Sequence, residues 1–371
     1  MWRGRTYLAA VVLAAASAAA AETHFQLQAV DAGGNPTHPK VDADPVEANL
    51  VVIEGICLNN PEAMVDPAWE WQIFVQGEGG DLGGTAIWAG KFYYLPDEAL
   101  WQSELARWNG TGLREGDRVR VTGYAMSVGG KANINERHSP APMMDFQVEL
   151  LAAGVGLPQP ELVSIAEMNV FQQDRLSGGE RYQCRRIRID DVVVQELLGG
   201  QWGGNQDVLI ADASDPENPD KQILLALRNA DFGSKAPATW FHVVGLGNQE
   251  PLFDGGPIPG TGLVDGYQVW VTRPDGIIVP GDANRDAVVD GLDYNDWSLH
   301  YLLPGGWEEG DYNGDGVADG LDYNLWSLNY GYGAAPGEGR GAIPEPFTLA
   351  LLGLGAVAAL KSRRASRPGG R

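Results

Sequence analysis

The chain has 371 residues, of which 50 are glycine and 23 are proline, and its formal net charge is −23. Residues 22–346 carry 49 acidic against 19 basic residues, a net charge of −30. Such an acidic body repels polyanions and disfavours nucleic acid, whose phosphates are bound by lysine and arginine. The sequence has no HExxH, Gly-x-Ser-x-Gly or P-loop motif, so no familiar catalytic pattern argues for an enzyme.

The N-terminus has the pattern of an export signal. Arg3 and Arg5 precede an apolar run, and small residues follow up to Ala21. We predict that residues 1–21 are a secretory signal peptide cut before Glu22, with a retained N-terminal anchor as the alternative. An exported chain is permitted a disulfide, so a Cys57–Cys184 pair and two buried free thiols both remain open.

The body of the chain reads as short strands separated by glycine-rich turns, which predicts a mainly β fold. Four strands recur in the same order in the second half of the body. They are 51–58, 72–76, 118–124 and 146–151, followed by 187–194, 208–211, 242–246 and 267–272. A proline pair near residue 158 divides the two sets. We therefore predict two small β-barrels in tandem, at 41–157 and 158–279.

A short motif in the first barrel suggests a family for both barrels. Residues 116–123, followed by the Gly129-Gly130 turn, resemble a strand of extracellular OB-fold domains in secreted bacterial proteins. The resemblance implies that one barrel face binds single-stranded nucleic acid or an oligosaccharide. Five aromatic residues are candidates for a stacking platform, although filling of the barrel core is the favoured alternative. They are Trp69, Trp71, Phe74, Trp88 and Tyr93.

Two near-identical segments, 282–293 and 311–322, are spaced to surround a hard cation. Each places side-chain oxygens at positions 1, 3, 5, 9 and 12 and a backbone carbonyl at position 7, the ligand stride of a calcium loop. The candidate ligands of the first loop are Asp282, Asn284, Asp286, Val288, Asp290 and Asp293. Those of the second are Asp311, Asn313, Asp315, Val317, Asp319 and Asp322. We therefore predict two Ca²⁺ sites.

A helix is predicted after each loop, at 291–301 and 320–330, but not before it. Each helix carries an aromatic stripe, formed by Tyr294, Trp297 and Tyr301 in the first and by Tyr323, Trp326 and Tyr330 in the second. A calcium loop with only its exiting helix, present twice in 281–333, resembles the type I dockerin module. The resemblance implies two antiparallel helices, two calcium ions and docking onto a cohesin-like partner protein.

The same resemblance assigns partner recognition to early helix positions, which here are Tyr294, Asn295, Tyr323 and Asn324. The sequence departs from the dockerin pattern at position 6 of the first loop, where Ala287 replaces the usual glycine; the second loop keeps Gly316. Two alternatives stay open. The loops are solvated turns without metal, or calcium only stabilises the module and no partner docks.

The C-terminus also has the pattern of a targeting signal. After a linker at 334–343, Pro344-Glu-Pro346 precedes an apolar run at 347–360 and a tail with five basic residues. This predicts a short transmembrane helix within 344–371 whose basic end stays cytoplasmic. The segment resembles the PEP-CTERM sorting signal of Gram-negative bacteria. That implies membrane tethering, processing by an exosortase-type enzyme and release to the cell surface or extracellular space; an ordinary tail anchor is the alternative.

Together these predictions lead to one expectation about function. We expect an exported, non-catalytic cell-envelope protein with two OB-like barrels, a calcium-loop module for protein docking and a C-terminal membrane helix. The barrels would bind a ligand such as an extracellular polysaccharide. The alternative is a secreted hydrolase acting on polysaccharide or nucleic acid, or an accessory subunit of such an enzyme.

Overall fold

The structure is a computed structural model and describes residues 21–44, 46–64, 66, 68–93, 97–135, 146–251 and 262–334. The signal-peptide prediction, apart from Ala21, and the predicted membrane helix with its sorting signal lie outside the described residues. Within the described ranges, no helix is long and apolar enough to cross a membrane.

The first half of the chain forms a closed five-stranded β-barrel. Its strands are β1 (Leu50–Cys57), β2 (Glu70–Gln76), β3 (Gly84–Gly90), β4 (Arg118–Val128) and β5 (Lys131–Asn135). They pair in the order β1-β2-β3-β5-β4, and β4 pairs with β1 to close the barrel. The β3–β5 pair is parallel and the other pairs are antiparallel. A sixth strand, β6 (Gln147–Ala152), pairs with β4.

Two helices complete the first barrel. Helix α1 (His24–Leu27) precedes β1, and helix α2 (Glu98–Asn109) connects β3 to β4. Trp101 and Trp108 of α2 are buried in the core cluster that the inward-facing strand side chains form. The Trp108 ring stacks on Phe146 with the centroids 4.8 Å apart. Burial of these large aromatic rings anchors α2 to the barrel.

The second half repeats the architecture. Its strands are β7 (Glu161–Leu162), β8 (Arg186–Leu197), β9 (Asp207–Asp212), β10 (Gln222–Leu227), β11 (Phe241–Gln249), β12 (Tyr267–Val271) and β13 (Ile277–Ile278), with short helices α3 (Ile165–Met168) and α4 (Gly179–Tyr182) between β7 and β8. The barrel pairs as β8-β9-β10-β12-β11 and closes through β11 and β8. The parallel pair β10–β12 corresponds to β3–β5. The prediction of two small tandem barrels is confirmed.

The repeat also includes the segment that leads into each barrel. Glu22 forms a parallel bridge with Ile53 of β1, and Glu161 of β7 pairs in parallel with Ile187 of β8. A capped short helix follows in each case, α1 and α3. The first unit therefore begins at residue 22 in the structure, ahead of the predicted boundary at residue 41, because this lead-in pairs with the barrel.

The two barrels share a buried apolar contact. Phe74 and Ala86, on the outer face of β2 and β3, form one cluster with Ala226, Leu246 and Trp270 of the second barrel. The Phe74 and Trp270 rings stack at 6.0 Å between centroids. The outer β2–β3 face of the first barrel is therefore covered by the second barrel.

The two cysteines are separate. Cys57 lies in the core of the first barrel, whereas Cys184 lies in the contact between the barrels, and both are buried free thiols. Of the two alternatives left by the sequence, the structure has the unpaired one. Burial raises the pKa of Cys57 to about 12 and that of Cys184 to about 11, so neither is a reactive thiolate near neutral pH.

The C-terminal described segment forms a small helical module. Helix α5 (Gly291–His300) follows the first predicted calcium loop, and α6 (Gly320–Asn329) follows the second. Both helices were predicted, and each ends within one residue of the predicted bound. The module has no separate core, because Ala283, Val289 and Trp326 belong to the same buried cluster as the interior of the second barrel.

Candidate metal centres in the twin loops

The first loop joins β13 to α5 and buries its first and last carboxylates. Asp282 accepts hydrogen bonds from the backbone N–H groups four and five residues later, at 3.2 and 2.9 Å. Asp293 accepts from the N–H groups of Ala283 and Asp290, at 2.9 and 2.7 Å. These bonds draw the two ends of the loop and its middle together around the aspartates.

The second loop repeats each of these bonds. Asp311 accepts from the N–H groups four and five residues later, at 3.2 and 2.8 Å. Asp322 accepts from Tyr312 and Asp319, at 2.8 and 2.9 Å. The shared sequence stride therefore produces the same local structure twice.

The ligands predicted at positions 3 and 5 lie at the surface of the loops. The Asn284 amide donates to Asp286 Oδ2 at 3.0 Å, and the Asn313 amide donates to Asp315 Oδ2 at 3.1 Å. All four side chains are exposed. They are accessible to an ion from solvent, unlike the buried aspartates at positions 1 and 12.

The ligands predicted at positions 7 and 9 connect each loop to its helix. Val288 and Val317 are partly buried, and the N–H of each donates to the aspartate at position 5, at 3.0 and 3.1 Å. Asp290 and Asp319 are the N-caps of α5 and α6, each accepting from the N–H two residues later at 2.7 Å. Position 9 is thus the N-cap, and the last three positions of each loop lie in the first turn of its helix.

The structure brings each set of predicted ligands into one loop but does not draw their acidic groups to a common centre. Among the described residues, no group of three or more His, Cys, Asp or Glu side chains is close enough to hold a metal ion. The predicted donor sets also include an asparagine amide oxygen and a backbone carbonyl, which are oxygen ligands of the kind that calcium uses.

The buried carboxylates are poorly solvated. Burial raises the pKa of Asp282 to about 6 and that of Asp293 to about 7, and it also raises the pKa of Asp322. No lysine or arginine within the described ranges forms an ion pair with these aspartates or with Asp311. A buried carboxylate without a cation is costly, so a divalent cation would stabilise both loops. The donor types therefore suit a hard divalent cation, although the described structure gathers no three acidic groups around one point.

The two helices pack against each other through their aromatic stripes. Tyr294 contacts Trp326 at 5.2 Å between centroids, and Trp297 contacts Tyr323 at 5.2 Å. Because the later residue of one helix meets the earlier residue of the other, the helices run in opposite directions. Each tryptophan also bonds the opposite loop, since Trp297 Nε1 donates to Asp319 O and Trp326 Nε1 donates to Asp290 O, both at 2.8 Å.

The residues predicted to recognise a partner separate into two kinds. Asn295 and Asn324 are exposed on the helices. Tyr294 and Tyr323 instead pack between the helices, with their rings 6.4 Å apart. The structure thus leaves the asparagines accessible and places the tyrosines in the helix–helix contact.

One face of the module is docked on the second barrel, which sequence reasoning missed. The amide of the fully buried Asn329 donates to Thr239 Oγ1 at 2.7 Å and to Pro280 O at 2.8 Å, and its oxygen accepts from Ala238 N at 2.9 Å. Lys235 Nζ donates to the carbonyl of Tyr330 at 2.5 Å at the C-terminal end of α6. The sequence signals were the two differences between the helix copies: Asn329 in place of His300, and Leu325 in place of Asp296, which packs against the buried cluster of the second barrel.

The predicted aromatic platform is divided by the fold. Trp71 lies in the first barrel core and Phe74 in the contact between barrels, both buried. Trp69 is 51% exposed, beneath the ammonium of Lys91 at 4.9 Å. Phe92, which the sequence reasoning did not name, is 54% exposed. Trp88 is partly buried, and the Tyr93 side chain lies outside what the structure describes.

A search with protein-family models finds none that matches the chain, and no curated protein matches it significantly. The functional argument therefore rests on the residues and their geometry.

Proposed function

We propose that this chain is a non-catalytic, exported protein whose C-terminal module binds two calcium ions. One observation carries the proposal. Each of two near-identical loops holds two buried aspartates that no lysine or arginine of the described residues neutralises. Calcium would supply the missing charge, and its remaining ligands would come from the exposed positions 3 and 5 and from the backbone.

The architecture supports the finer family assignments. The strand order 1-2-3-5-4-1 in both barrels, with one parallel pair in each (β3–β5 and β10–β12), is consistent with OB-like barrels. In the module, a helix follows each loop and the two helices run in opposite directions, as a dockerin-like arrangement requires. These features support our proposal that residues 281–333 are a dockerin-like module.

The free face of the module is the proposed site for a cohesin-like protein partner. Asn295 and Asn324 are exposed there, together with a set of leucines on the same helices, Leu292, Leu299, Leu321 and Leu328. Exposed apolar side chains gathered on one small module are typical of a protein interaction surface. The opposite face, around Asn329, is already occupied by the second barrel.

The barrels offer less surface for ligands than isolated OB-like barrels. The second barrel covers the outer β2–β3 face. Among the described residues of the first barrel, the aromatic rings that stay largely exposed are Trp69 and Phe92, which together we call the rim. Aromatic rings stack on sugar rings, so an extracellular polysaccharide is the ligand class that we propose for this rim. The acidic body disfavours nucleic acid.

Export is supported by the two terminal segments. Arg3 and Arg5 before an apolar run direct the chain to secretion, and the Pro344-Glu-Pro346 segment with its basic tail directs tethering and processing. The proposed destination is the cell surface or the extracellular space, where calcium is abundant.

The test is a calorimetric calcium titration of residues 22–346 with thermal unfolding in parallel. We expect heat from two sites, a higher midpoint of unfolding with calcium, and little response to magnesium at the same concentration. Asp293→Asn and Asp322→Asn should each leave one site. Absence of calcium heat in the folded wild-type protein would refute the proposal.

A further inference from the structure

Three parts of the molecule meet around a cleft of about 250 Å³. The first barrel contributes Leu58 and Glu115, the second contributes Arg186 and Arg273, and the first calcium loop contributes Asp282 and Arg285. Pockets where separate units meet are frequent ligand sites. The proposed partner face does not use this cleft, and of the proposed calcium ligands Asp282 alone lines it.

The arginines of the cleft differ in whether a carboxylate pairs with them. Arg273 bonds both Glu115 and Asp275. Arg186 is half-buried and donates to the carbonyl of Pro158 at 2.8 Å, but it forms no ion pair within the described residues. Arg285, exposed on the first loop, also has none there. Two guanidinium groups that no carboxylate of the described residues contacts as an ion pair therefore line one cleft of a strongly acidic chain, although Asp275 and Glu115 lie near enough to Arg186 to act on its charge.

The rest of the lining is largely apolar. Leu58, Leu157, Leu246 and Ile277 contribute to the wall. Guanidinium groups hold carboxylates through paired hydrogen bonds, and these bonds strengthen where apolar walls exclude water. The combination suits a ligand with one carboxylate and a small apolar body.

We propose that this cleft binds a small carboxylate with an apolar body, held by Arg186 and Arg285. Its affinity increases when calcium occupies the first loop, because the ion neutralises Asp282, which also lines the cleft; this part rests on the proposed calcium binding. Without calcium, Asp282, Glu115 and Asp275 balance the three arginines. With calcium, the lining becomes net positive.

The test uses residues 22–346 and hexanoate as the probe, with hexanol as the uncharged control. We expect hexanoate, and not hexanol, to bind by calorimetry in saturating calcium, and to bind more weakly in EGTA. Arg186→Gln should weaken hexanoate binding roughly tenfold or more. Arg285→Gln, at an exposed loop residue, should weaken it without affecting the fold.

Arg188→Gln is the matched control. Arg188 lies on the same strand as Arg186 but pairs with Asp190 at 2.5 Å and does not line the cleft, so hexanoate affinity should not change. N-acetylleucine and its amide form a second probe pair. Preference for N-acetylleucine over hexanoate would identify a peptide chain end as the source of the carboxylate, and the reverse a free small acid.

The outcomes separate the two proposals. If calcium fills two sites and hexanoate does not bind, or binds equally to the two cleft variants, the cleft proposal fails while the calcium proposal stands. If hexanoate binds through Arg186 but calcium gives no heat, the carboxylate site stands and both calcium binding and the coupling fail. Equal hexanoate affinity in saturating calcium and in EGTA would overturn the coupling alone.

Discussion

The two loop–helix units of the module are almost the same sequence in different surroundings. Their helical segments, 291–301 and 320–330, match at nine of eleven positions. Both differences bear on how the module docks. Asn329 is fully buried and bonds the second barrel, whereas the equivalent His300 is partly buried and bonds Asp296 O of its own helix. Leu325, which stands where the first copy has Asp296, packs against the buried cluster of the second barrel. A nearly symmetric repeat thus has one helix that bonds the second barrel and one that does not.

The loops differ in a second way. Position 6 is Ala287 in the first loop, with a φ of 67°, and Gly316 in the second, with a φ of 95°. A left-handed backbone costs an alanine about 1 kcal/mol or more and costs a glycine little. The first loop is therefore the strained copy. Both loops contribute to the buried cluster of the second barrel, through Ala283 and Val289 in the first and Tyr312 in the second, but the first loop also directly follows β13.

The largest expected effect comes from removing the buried carboxylate of either loop. At calcium a thousandfold above Kd, each of Asp293→Asn and Asp322→Asn should lose about 4 kcal/mol of calcium-dependent stabilisation. In hydrogen exchange, the Asp293→Asn variant should lose protection of backbone amides in the module, in β13 and in the adjoining part of β11. The Asp322→Asn variant should lose protection only in the module. Equal exchange in the two variants would contradict the asymmetry.

Docking through Asn329 gives the next effect. Asn329→Ala removes three hydrogen bonds and leaves buried backbone groups unpaired, so we expect the free energy of unfolding to fall by about 3 kcal/mol. His300→Ala, at the equivalent position of the other helix, should cost less than about 0.5 kcal/mol. Urea unfolding measures both, and a similar loss in the two variants would mean that docking is not decided at this position.

The pH dependence of unfolding tests the stability of the second barrel independently of the calcium-loop module. Burial raises the pKa of Glu180, which accepts a hydrogen bond from Tyr267, to about 7 from an ordinary value of 4.5. The stabilisation that comes from protonated Glu180 is fully present in the free energy of unfolding below pH 4.5, and it is lost as the pH rises through 7. We expect Glu180→Gln to remove this fall and to be more stable than the wild type by on the order of 2 kcal/mol at pH 8.

The control for this experiment is calcium itself. Because Glu180 lies on α4 in the second barrel, away from both loops, the gain at pH 8 in urea unfolding should be the same with calcium and with EGTA. No gain in either condition would show that Glu180 is not held in a poorly solvated site.

The smallest effect tests the strain in the first loop. Ala287→Gly should raise the free energy of unfolding by up to about 1 kcal/mol, because glycine adopts the left-handed backbone freely. The reciprocal change, Gly316→Ala, should lower it by about 1 kcal/mol. Thermal unfolding in saturating calcium measures both, and changes of the same sign would rule out this explanation of the difference between loops.

Much of the fold follows from local pattern. The predicted strand at 187–194 is Arg186–Leu197 in the structure, and that at 242–246 is Phe241–Gln249. Strands β3, β5 and β10 were not predicted, and the strand predicted at 146–151 is β6, which lies outside the closed barrel; the counterpart of β12 is β5. Thr85 to Gly90 and Ile223 to Leu227 are short apolar runs without alternation, buried on both sides, and such runs do not distinguish a strand from a buried helix.

The candidate site was predictable in part. The stride of the loops indicated that Asp282 and Asp293 belong together, and local hydrogen bonds bring them into one loop. Their depth of burial was not predictable, because it depends on the packing of the module against the second barrel. The same long-range packing hides Phe74 and exposes Phe92, and no local pattern in a single sequence reports such contacts.

A crystal structure of residues 22–346 grown with calcium tests the central claim most directly. We expect one ion in each loop, held by about six to eight oxygens at roughly 2.3–2.6 Å, with the ion of the first loop bound to Asp282 and Asp293 and that of the second to Asp311 and Asp322. Loops that keep these aspartates buried with no ion between them, at calcium concentrations typical of extracellular fluid, would contradict it.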